Sequence, residues 1–533
     1  MRYLKLGLMA LSIISSLIAC QKAEETQLVF DENIFHETDL VGEFVTTEGQ
    51  TVLGDVIDIP YSIENLLKAY ENLPAQTKSQ INPEDIQPTH YYVRFYPKSI
   101  EEQDILRNIK PYVFLSETPL DRKVVVGGSS YHDPSIPEDL PTFQYTVVPV
   151  ARWTELEKTV PVEAEILIEA YIPDYDEAYT TKSEEKYGIP TYAYEALLQE
   201  AYRITGNEFD VIPETKSSWN PSGRIRAYDD AVVSYVPIKG VRVRGTHLLK
   251  VKETLTDGNG CFTLPSFNNP VNLKVIWESD LWDVRDGLIG QATFDGPQLN
   301  GQYWYCDIGT LHEKNIRFAA MHRAAYRYYY DDCDGLVRPV SFRKEKLCFI
   351  DDIGSGDSMS NMGLGVLPDM RVYGKNSSTE YRDTQEVFKS TAHEFGHLAH
   401  CLWVEQINYW NTDLIVKESW SEFVEYILTT LEYTSLGVTN LTDIVDDRQQ
   451  WTPAVGYVNY SPFFIDFYDT YNQGANNTTY LNDELYGYTS NVLNQSVLAS
   501  FTLEDVKDYL DQVKPYYITS QQIESYYSFY ASL

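Results

Sequence analysis

A stretch of the chain that begins at Thr384 has the pattern of an amphipathic helix with two histidines on one face. Asp383 stands in the N-cap position and Glu386 follows three residues later, which is the capping-box arrangement. Apolar residues then recur at the helical period: Val387, Ala392, Leu398 and Leu402. His393 and His397 are four residues apart, so both imidazoles leave the helix on the same side. The two rings can therefore offer nitrogens to a single metal ion.

The motif His393-Glu394-Phe395-Gly396-His397 has the HExxH form, and an acidic segment follows it. Glu418 and Glu422 lie one turn apart in a second predicted helix, from about Ile415 to Leu431. Together the two segments resemble the gluzincin clan, the thermolysin-like and aminopeptidase-like zinc peptidases, over about residues 380–430. The resemblance implies that His393, His397 and Glu418 bind one Zn²⁺ per chain. It also implies that Glu422 orients a ligand histidine.

Two other interpretations of these residues are a solvated acidic face and a metzincin site. A stripe of Glu418, Glu422 and Glu425 is, taken alone, more often a solvated acidic face than a metal site. Its distance from the HExxH motif favours the ligand interpretation. His400 and Trp403 stand where a metzincin has a glycine and a histidine, so that class fits poorly, and His400 is interpreted as a non-ligand.

The resemblance also implies a reaction, the hydrolysis of peptide bonds by a zinc-activated water with Glu394 as the general base. Tyr457 and Tyr460 lie downstream, and Tyr460 is our candidate for the donor that stabilises the oxyanion. Leu367–Tyr373 is a candidate edge strand for an extended substrate, although it contains Pro368. The expected substrates are extracellular proteins or peptides, glycosylated ones included. The motif does not separate endopeptidase from aminopeptidase action.

The N-terminus has the form of an export signal. Arg2 and Lys5 precede an apolar run, Leu6 to Ala19, that is too short to span a membrane. The run ends in Leu17-Ile18-Ala19-Cys20, which resembles the lipobox of bacterial lipoproteins, and the following acidic residues resemble the export tags of Bacteroidetes surface lipoproteins. These resemblances imply a lipid on Cys20 and an outer-membrane lipoprotein exposed at the cell surface.

The net charge and the cysteine content exclude one class of partner and argue against some kinds of metal site. The formal net charge of −36 repels phosphate backbones, so nucleic acid is excluded as a partner. Apart from Cys20, five cysteines occur without a CxxC pair, which argues against thiolate zinc and iron–sulfur sites: Cys261, Cys306, Cys333, Cys348 and Cys401. An exported chain permits disulfides, and we predict Cys333 with Cys348.

The region between the signal and the metal motif alternates strand and helix patterns. Strands are predicted at Tyr91–Tyr96 and Tyr112–Leu115, with a helix at about Tyr192–Ile204. From about residue 225 the chain turns to strands, with a tight turn at Asp257-Gly258-Asn259-Gly260. This part resembles transthyretin-like and carboxypeptidase-regulatory-like β-sandwiches, which are usually spacers or binding platforms.

The predicted fold class is therefore multidomain α+β, with a mixed α/β N-terminal region, a β-sandwich and a mainly helical zincin-like domain. The expected segments are a signal peptide (1–19), a lipid anchor and tether (20–85), an accessory domain (86–224), the sandwich (225–310) and the peptidase domain (311–533). An alternative remains open. In it the chain is a surface lipoprotein that binds glycan or a host protein, and its zincin-like domain is inactive.

Overall fold

The computed structural model describes most of the chain after residue 43. The described ranges are 44–109, 112–173, 175, 189–207, 218–339, 343–354, 357–358, 369–404, 406–441, 461–470 and 484–531. They form a mixed α+β structure with several sheets, which confirms the α+β part of the predicted fold class. Cys20 and Tyr460 lie outside the described residues.

The helices and strands are numbered here in chain order. The strands are β1 (Val52–Val56), β2 (His90–Phe95), β3 (Arg122–Val126), β4 (Gln144–Pro149), β5 (Ala164–Ala170), β6 (Ser222–Asp229), β7 (Ser234–Pro237), β8 (Arg242–His247), β9 (Lys250–Leu255), β10 (Cys261–Thr263), β11 (Val271–Ile276), β12 (Trp282–Asp286), β13 (Gly290–Gln291), β14 (Thr293–Leu299), β15 (Trp304–Ile308), β16 (Glu345–Ile353), β17 (Asp357–Ser358), β18 (Asp369–Ser377) and β19 (Glu380–Tyr381). The helices are α1 (Ile63–Asn72), α2 (Ala75–Lys78), α3 (Ile100–Arg107), α4 (Val150–Thr159), α5 (Thr191–Ile204), α6 (Glu313–Tyr329), α7 (Thr384–Val404), α8 (Gln406–Asn411), α9 (Leu414–Ser435), α10 (Phe463–Tyr468), α11 (Ser490–Leu498), α12 (Leu503–Gln512) and α13 (Ser520–Ala531).

The chain folds into two compact units, each built from separate segments. The described residues of the first unit fall within Met1–Ile225, Pro237–Trp277 and Ile289–Cys306. Those of the second unit fall within Arg226–Val236, Glu278–Leu288 and Asp307–Leu533. The five segment limits expected from the sequence stay predictions.

In the first unit, the stretch predicted as a tether is folded from β1 onward. Ser62 caps α1 by accepting a hydrogen bond from the Asn65 N–H. Leu66 and Ala69, on the inner face of α1, are fully buried and pack in one apolar cluster with Leu197 of α5. The inner face of α1 is thus part of the core, although the mixed composition of this stretch shows no sustained period in the sequence.

The strands of the first unit form antiparallel sheets. One sheet has the order β4-β2-β5, and another has the order β14-β11-β8-β9. Strand β11 alternates in burial, with Val271, Leu273 and Val275 inside, as expected for a strand with one face on the core. The prediction of a strand at Tyr112–Leu115 is wrong. These residues have no strand structure, and the bridge to Tyr145 is made by the next residue, Ser116.

The predicted tight turn before β10 is present but joins strands of different sheets. The Asp257 side chain accepts hydrogen bonds from the N–H groups of Asn259 and Cys261, and Gly260 has a φ of +73°. Strand β10 pairs with β6, whereas β9 belongs to the β14-β11-β8-β9 sheet. The turn is therefore a crossing between sheets and not a hairpin.

In the second unit, a largely parallel sheet is combined with long helices. Strands β12, β16 and β18 run parallel in that order. Helix α6 packs on α7 through the rings of Tyr328 and Tyr329, which meet the ring of Phe395 edge-on at 6.1 and 5.8 Å. The sheet and α6 together hold α7 in a fixed place.

The predicted disulfide between Cys333 and Cys348 is wrong. Both side chains are buried thiols, and they form no bond with each other. Burial raises the pKa of the Cys333 thiol, which keeps it protonated. An exported chain allows disulfides, but spacing along the sequence does not bring two sulfur atoms together.

Candidate metal centre

The predicted helix carrying the two histidines is present as α7. The Glu386 carboxylate accepts a hydrogen bond from the Asp383 N–H at 3.1 Å, as the capping box predicts. The second predicted helix is present as α9. A Cβ placed on Gly396 of α7 would lie 2.8 Å from the Cα of Ser421 in α9. Because Gly396 has no side chain, the backbone of α9 can approach α7 at this point, and this contact sets the distance between the helices.

Replacing Gly396 with Ala is expected to lower the free energy of unfolding by about 1–3 kcal/mol. The added methyl meets backbone, which cannot move aside as a flexible side chain can. The gain in helix propensity, about 1 kcal/mol, offsets only part of this cost. Urea denaturation measures the change. Gly258→Ala is the matched control, since a Cβ there meets nothing within 4 Å; equal stability of the two variants would show that the helices separate without cost.

The close approach brings Glu418 to both histidines. One carboxylate oxygen of Glu418, Oε2, lies 3.4 Å from His393 Nε2 and 3.2 Å from His397 Nε2. Two ligand atoms of one tetrahedral zinc, each about 2.0–2.2 Å from the metal, lie roughly 3.3 Å apart. The three atoms are thus spaced as ligands of one ion, and the predicted ligand set fits the group it was predicted to hold.

The Glu418 carboxylate is placed for a cation and not for a hydrogen bond. Its Oε2 is buried and accepts no aligned hydrogen bond from the described residues. Burial raises the pKa of the Glu418 carboxyl, but His393 and His397 outweigh burial and hold that pKa well below its usual value. A buried carboxylate oxygen without a donor, facing two imidazole nitrogens, is what a metal ion would satisfy.

The opposite side of the His393 ring faces two further carboxylates. Glu425 Oε2 lies 3.4 Å and Glu422 Oε1 3.6 Å from His393 Nδ1. Burial lowers the pKa of His393, but Glu418 and Glu425 outweigh burial and raise that pKa well above its usual value. Glu422 is where the resemblance implied it, whereas Glu425 is nearer and was considered only as part of an acidic face. When Nε2 binds a metal, Nδ1 carries the proton and donates it to one of these carboxylates.

His397 also has a partner on its outer nitrogen, the hydroxyl of Tyr409 at 3.0 Å from Nδ1. Burial raises the pKa of Tyr409, so the phenol keeps its proton. If Nε2 of His397 is a ligand, Nδ1 donates its proton to the Tyr409 oxygen. No pattern in the sequence indicated this role, because Tyr409 is one of 42 tyrosines and lies in a short separate helix, α8.

Tyr409→Phe is expected to weaken zinc binding by about 10- to 100-fold while the fold remains intact. The variant loses only the hydroxyl that fixes the His397 ring. Titration against a competing chelator measures the zinc Kd. Tyr329→Phe is the control, because its hydroxyl is buried without a partner among the described residues. An unchanged Kd in Tyr409→Phe would contradict the positioning role.

Two further residues of α7, Glu394 and His400, lie close in sequence to the two histidines. Glu394 is buried, and its charge contributes to raising the pKa of both His393 and Tyr409. His400 belongs to neither group of potential ligands. Burial, with the charge of His397, lowers the pKa of His400 to about 3, so this ring stays neutral.

The candidate edge strand is placed differently from our expectation. Residues 369–373 belong to β18, but β18 lies inside the sheet order β12-β16-β18-β17. Strand β17 pairs with it at Met370 and Arg371. The short β17 was not visible as a strand in the sequence, since two residues carry no alternation.

The chain was also compared with known proteins. No protein-family model, no curated protein and no solved structure matches it. Within the described residues, no helix combines the length and apolar character needed to cross a membrane. The arguments about function therefore depend on the residues of the metal centre themselves.

Proposed function

We propose that the chain is a zinc-dependent peptidase of the gluzincin type, with His393, His397 and Glu418 as metal ligands. The observation that carries the proposal is the position of Glu418 Oε2, 3.2 and 3.4 Å from the two Nε2 atoms and without an aligned donor among the described residues. Two imidazoles and one carboxylate leave a fourth position for water, which is typical of catalytic and not of structural zinc sites.

The surroundings of the ligands support a site that holds its metal tightly. Both outer nitrogens have acceptors, Tyr409 for His397 and the pair Glu422 and Glu425 for His393. Such partners fix the ring orientation and the tautomer, so Nε2 is presented as a lone pair. The ligand side chains are about nine-tenths buried, which excludes competing water.

Within this proposal the chain's own residues have separate roles. Bound zinc supplies Lewis-acid chemistry, polarising a carbonyl oxygen and lowering the pKa of a water molecule. Glu394 accepts the proton of that water and passes it to the leaving amine. His393 and His397 would bind the metal through Nε2, while the Nδ1 protons are donated to the carboxylates and to the phenol.

The wider setting belongs to the same proposal. The expected substrates are extracellular proteins or peptides, including glycosylated ones. Cys20 would carry the lipid that attaches the chain to the outer membrane, facing the cell surface. The β-rich residues 225–310 would form a transthyretin-like spacer. Tyr460, outside the described residues, stays our candidate for the oxyanion donor.

Elemental analysis of the purified full-length protein tests the proposal. We expect about one zinc per chain in the wild type and loss of the metal in His397→Ala, which removes one of three ligands. His400→Ala is the matched control, since it removes a buried imidazole three residues further along α7 that belongs to neither group of potential ligands. A folded wild type without zinc, or equal loss of metal in the two variants, would overturn the proposal and favour the surface binding protein.

A further inference from the structure

The first unit contains a large pocket that is separate from the metal centre. Its volume is about 1020 Å³, enough for several residues of a peptide, and it is open on one side. Its walls come from the start of β2, the end of β4, the first turns of α4 and strand β9. The peptidase proposal assigns no role to this pocket.

The charged side chains of the pocket are mainly acidic. Glu84, Asp85, Glu155 and Glu253 line it, and Arg152 is the one Lys or Arg side chain among the described lining residues. Glu253 is neutralised inside the protein, since Arg244 and Arg242 lie 2.6 and 3.4 Å from its carboxylate. Glu84 and Glu155 are exposed at the rim, so their carboxylates are open to a cation from solvent.

Aromatic rings form the walls between these carboxylates. His90 and Tyr175 meet edge-on, with ring centres 5.0 Å apart. Tyr112 is about half exposed, at 47 %, and its ring is fixed by a hydrogen bond from its hydroxyl to Glu253 and by Arg242 stacked at 4.8 Å. Exposed aromatic rings beside carboxylates bind cationic side chains through cation–π contact.

Strand β9 adds main-chain groups to the pocket. It is the edge strand of the β14-β11-β8-β9 sheet. The Tyr175 hydroxyl donates to the C=O of Val251 and accepts from its N–H, so these main-chain groups point away from β8. Because main-chain direction alternates along a strand, the N–H and C=O of Glu253 point the same way. An extended peptide can pair with an edge of this kind.

We propose that this pocket binds an extended basic peptide segment, in which Lys or Arg side chains reach Glu84 and Glu155 and the peptide backbone pairs with β9 at Glu253. A small amine would use the carboxylates but not the strand edge. A neutral peptide would use the strand edge but not the carboxylates. Because the pocket offers both carboxylates and a strand edge, a basic peptide is favoured over a small amine and over a neutral peptide. Binding of the basic peptide does not depend on zinc.

Fluorescence anisotropy with the full-length protein in nonionic detergent tests this inference. The probe is a fluorescein-labelled octapeptide of alternating Lys and Val, and the protein carries Glu394→Gln so that cleavage does not interfere. We expect saturable binding that weakens with salt, and a Kd about tenfold higher in the double variant Glu84→Gln with Glu155→Gln. The matched control is Glu138→Gln with Asp139→Asn, two exposed acids of the same unit that do not line the pocket, and its Kd should be unchanged.

Further measurements distinguish a basic peptide from a neutral peptide and from a small amine. Equal affinity for an octapeptide of alternating Ser and Val, or displacement of the probe by spermine at the same concentration as by unlabelled peptide, would overturn the inference. So would an equal effect of the control substitutions. N-methylation of alternate peptide bonds should abolish binding if the strand edge is used; full retention would overturn the pairing with β9. None of these substitutions or probes is expected to change the zinc content, so a failure of peptide binding is distinguishable from a failure of the peptidase proposal.

Discussion

Glu394→Gln is expected to keep about one zinc per chain and to lower kcat by roughly 10²- to 10⁴-fold. Glutamine has the size of glutamate but accepts no proton, so the water and the leaving amine lose their shared base. Glu394 is buried beside the ligands without being one of them, and the substitution leaves its volume unchanged. Hydrolysis of internally quenched peptides, followed by elemental analysis of the same sample, measures both quantities.

Glu422→Gln is the control for this experiment. It makes the same chemical change at a carboxylate 3.6 Å from His393 Nδ1, where an amide oxygen still accepts a hydrogen bond. We expect a weaker zinc affinity and a kcat near that of the wild type once zinc is saturating. If Glu394→Gln lost its zinc, Glu394 would be a ligand; if it kept full activity, another group would be the base.

The helix that carries His393 and His397 was predictable because it depends on local periodicity. Residues four positions apart lie on the same face of a helix, so His393 and His397 share one face. The cap at Asp383 marks where that helix begins. Glu418 required a second step, the resemblance of the two segments to the gluzincin clan, because periodicity along one helix does not show which helix packs against it. Gly396 supplied the physical reason for that contact, although a single glycine does not specify its partner.

The residues that hold the histidines were harder to predict. Glu425 is one of three acids on a stripe, and only the rotation of α9 against α7 decides that it faces His393 rather than solvent. Tyr409 reaches His397 from a separate short helix whose direction no periodicity fixes. Both contacts are set by tertiary packing, which a pattern along one chain does not contain.

Outside the metal centre, the largest errors concern segments whose structure depends on distant partners. The stretch around α1 looked like a tether because its own composition is mixed, yet Leu66 packs with Leu197, far along the chain. The edge-strand prediction and the prediction of a Cys333–Cys348 disulfide were wrong for the same reason, because each depends on how separate segments pack. Strand β2 and helix α5 were predicted correctly, because their alternation or period is long enough to be recognised locally.

Asp229→Ala is expected to lower the free energy of unfolding by about 3–5 kcal/mol, because it breaks a buried charge network in the second unit. Asp229 is fully buried and accepts hydrogen bonds from Arg323 at 2.6 Å and from the Tyr433 hydroxyl at 3.1 Å. Arg323 also pairs with Glu432, which in turn binds Arg327. The two guanidinium groups share Glu432, and Arg327 also lies 3.7 Å from Asp331. Loss of Asp229 removes the carboxylate that serves Arg323, so the buried positive charge of Arg323 is poorly compensated.

Denaturant unfolding of the variant measures this loss, and two comparisons show its cause. Glu64→Ala removes the ion pair between Glu64 and Lys68, whose side chains are 77 % and 58 % exposed, and should leave the stability nearly unchanged. The double variant Asp229→Leu with Arg323→Met removes both charges and should recover part of the loss, since the remaining Arg327 and Glu432 still balance. If the double variant were no more stable than Asp229→Ala, lost packing and not the unpaired charge would be the cause, and the four groups would matter for their shape alone.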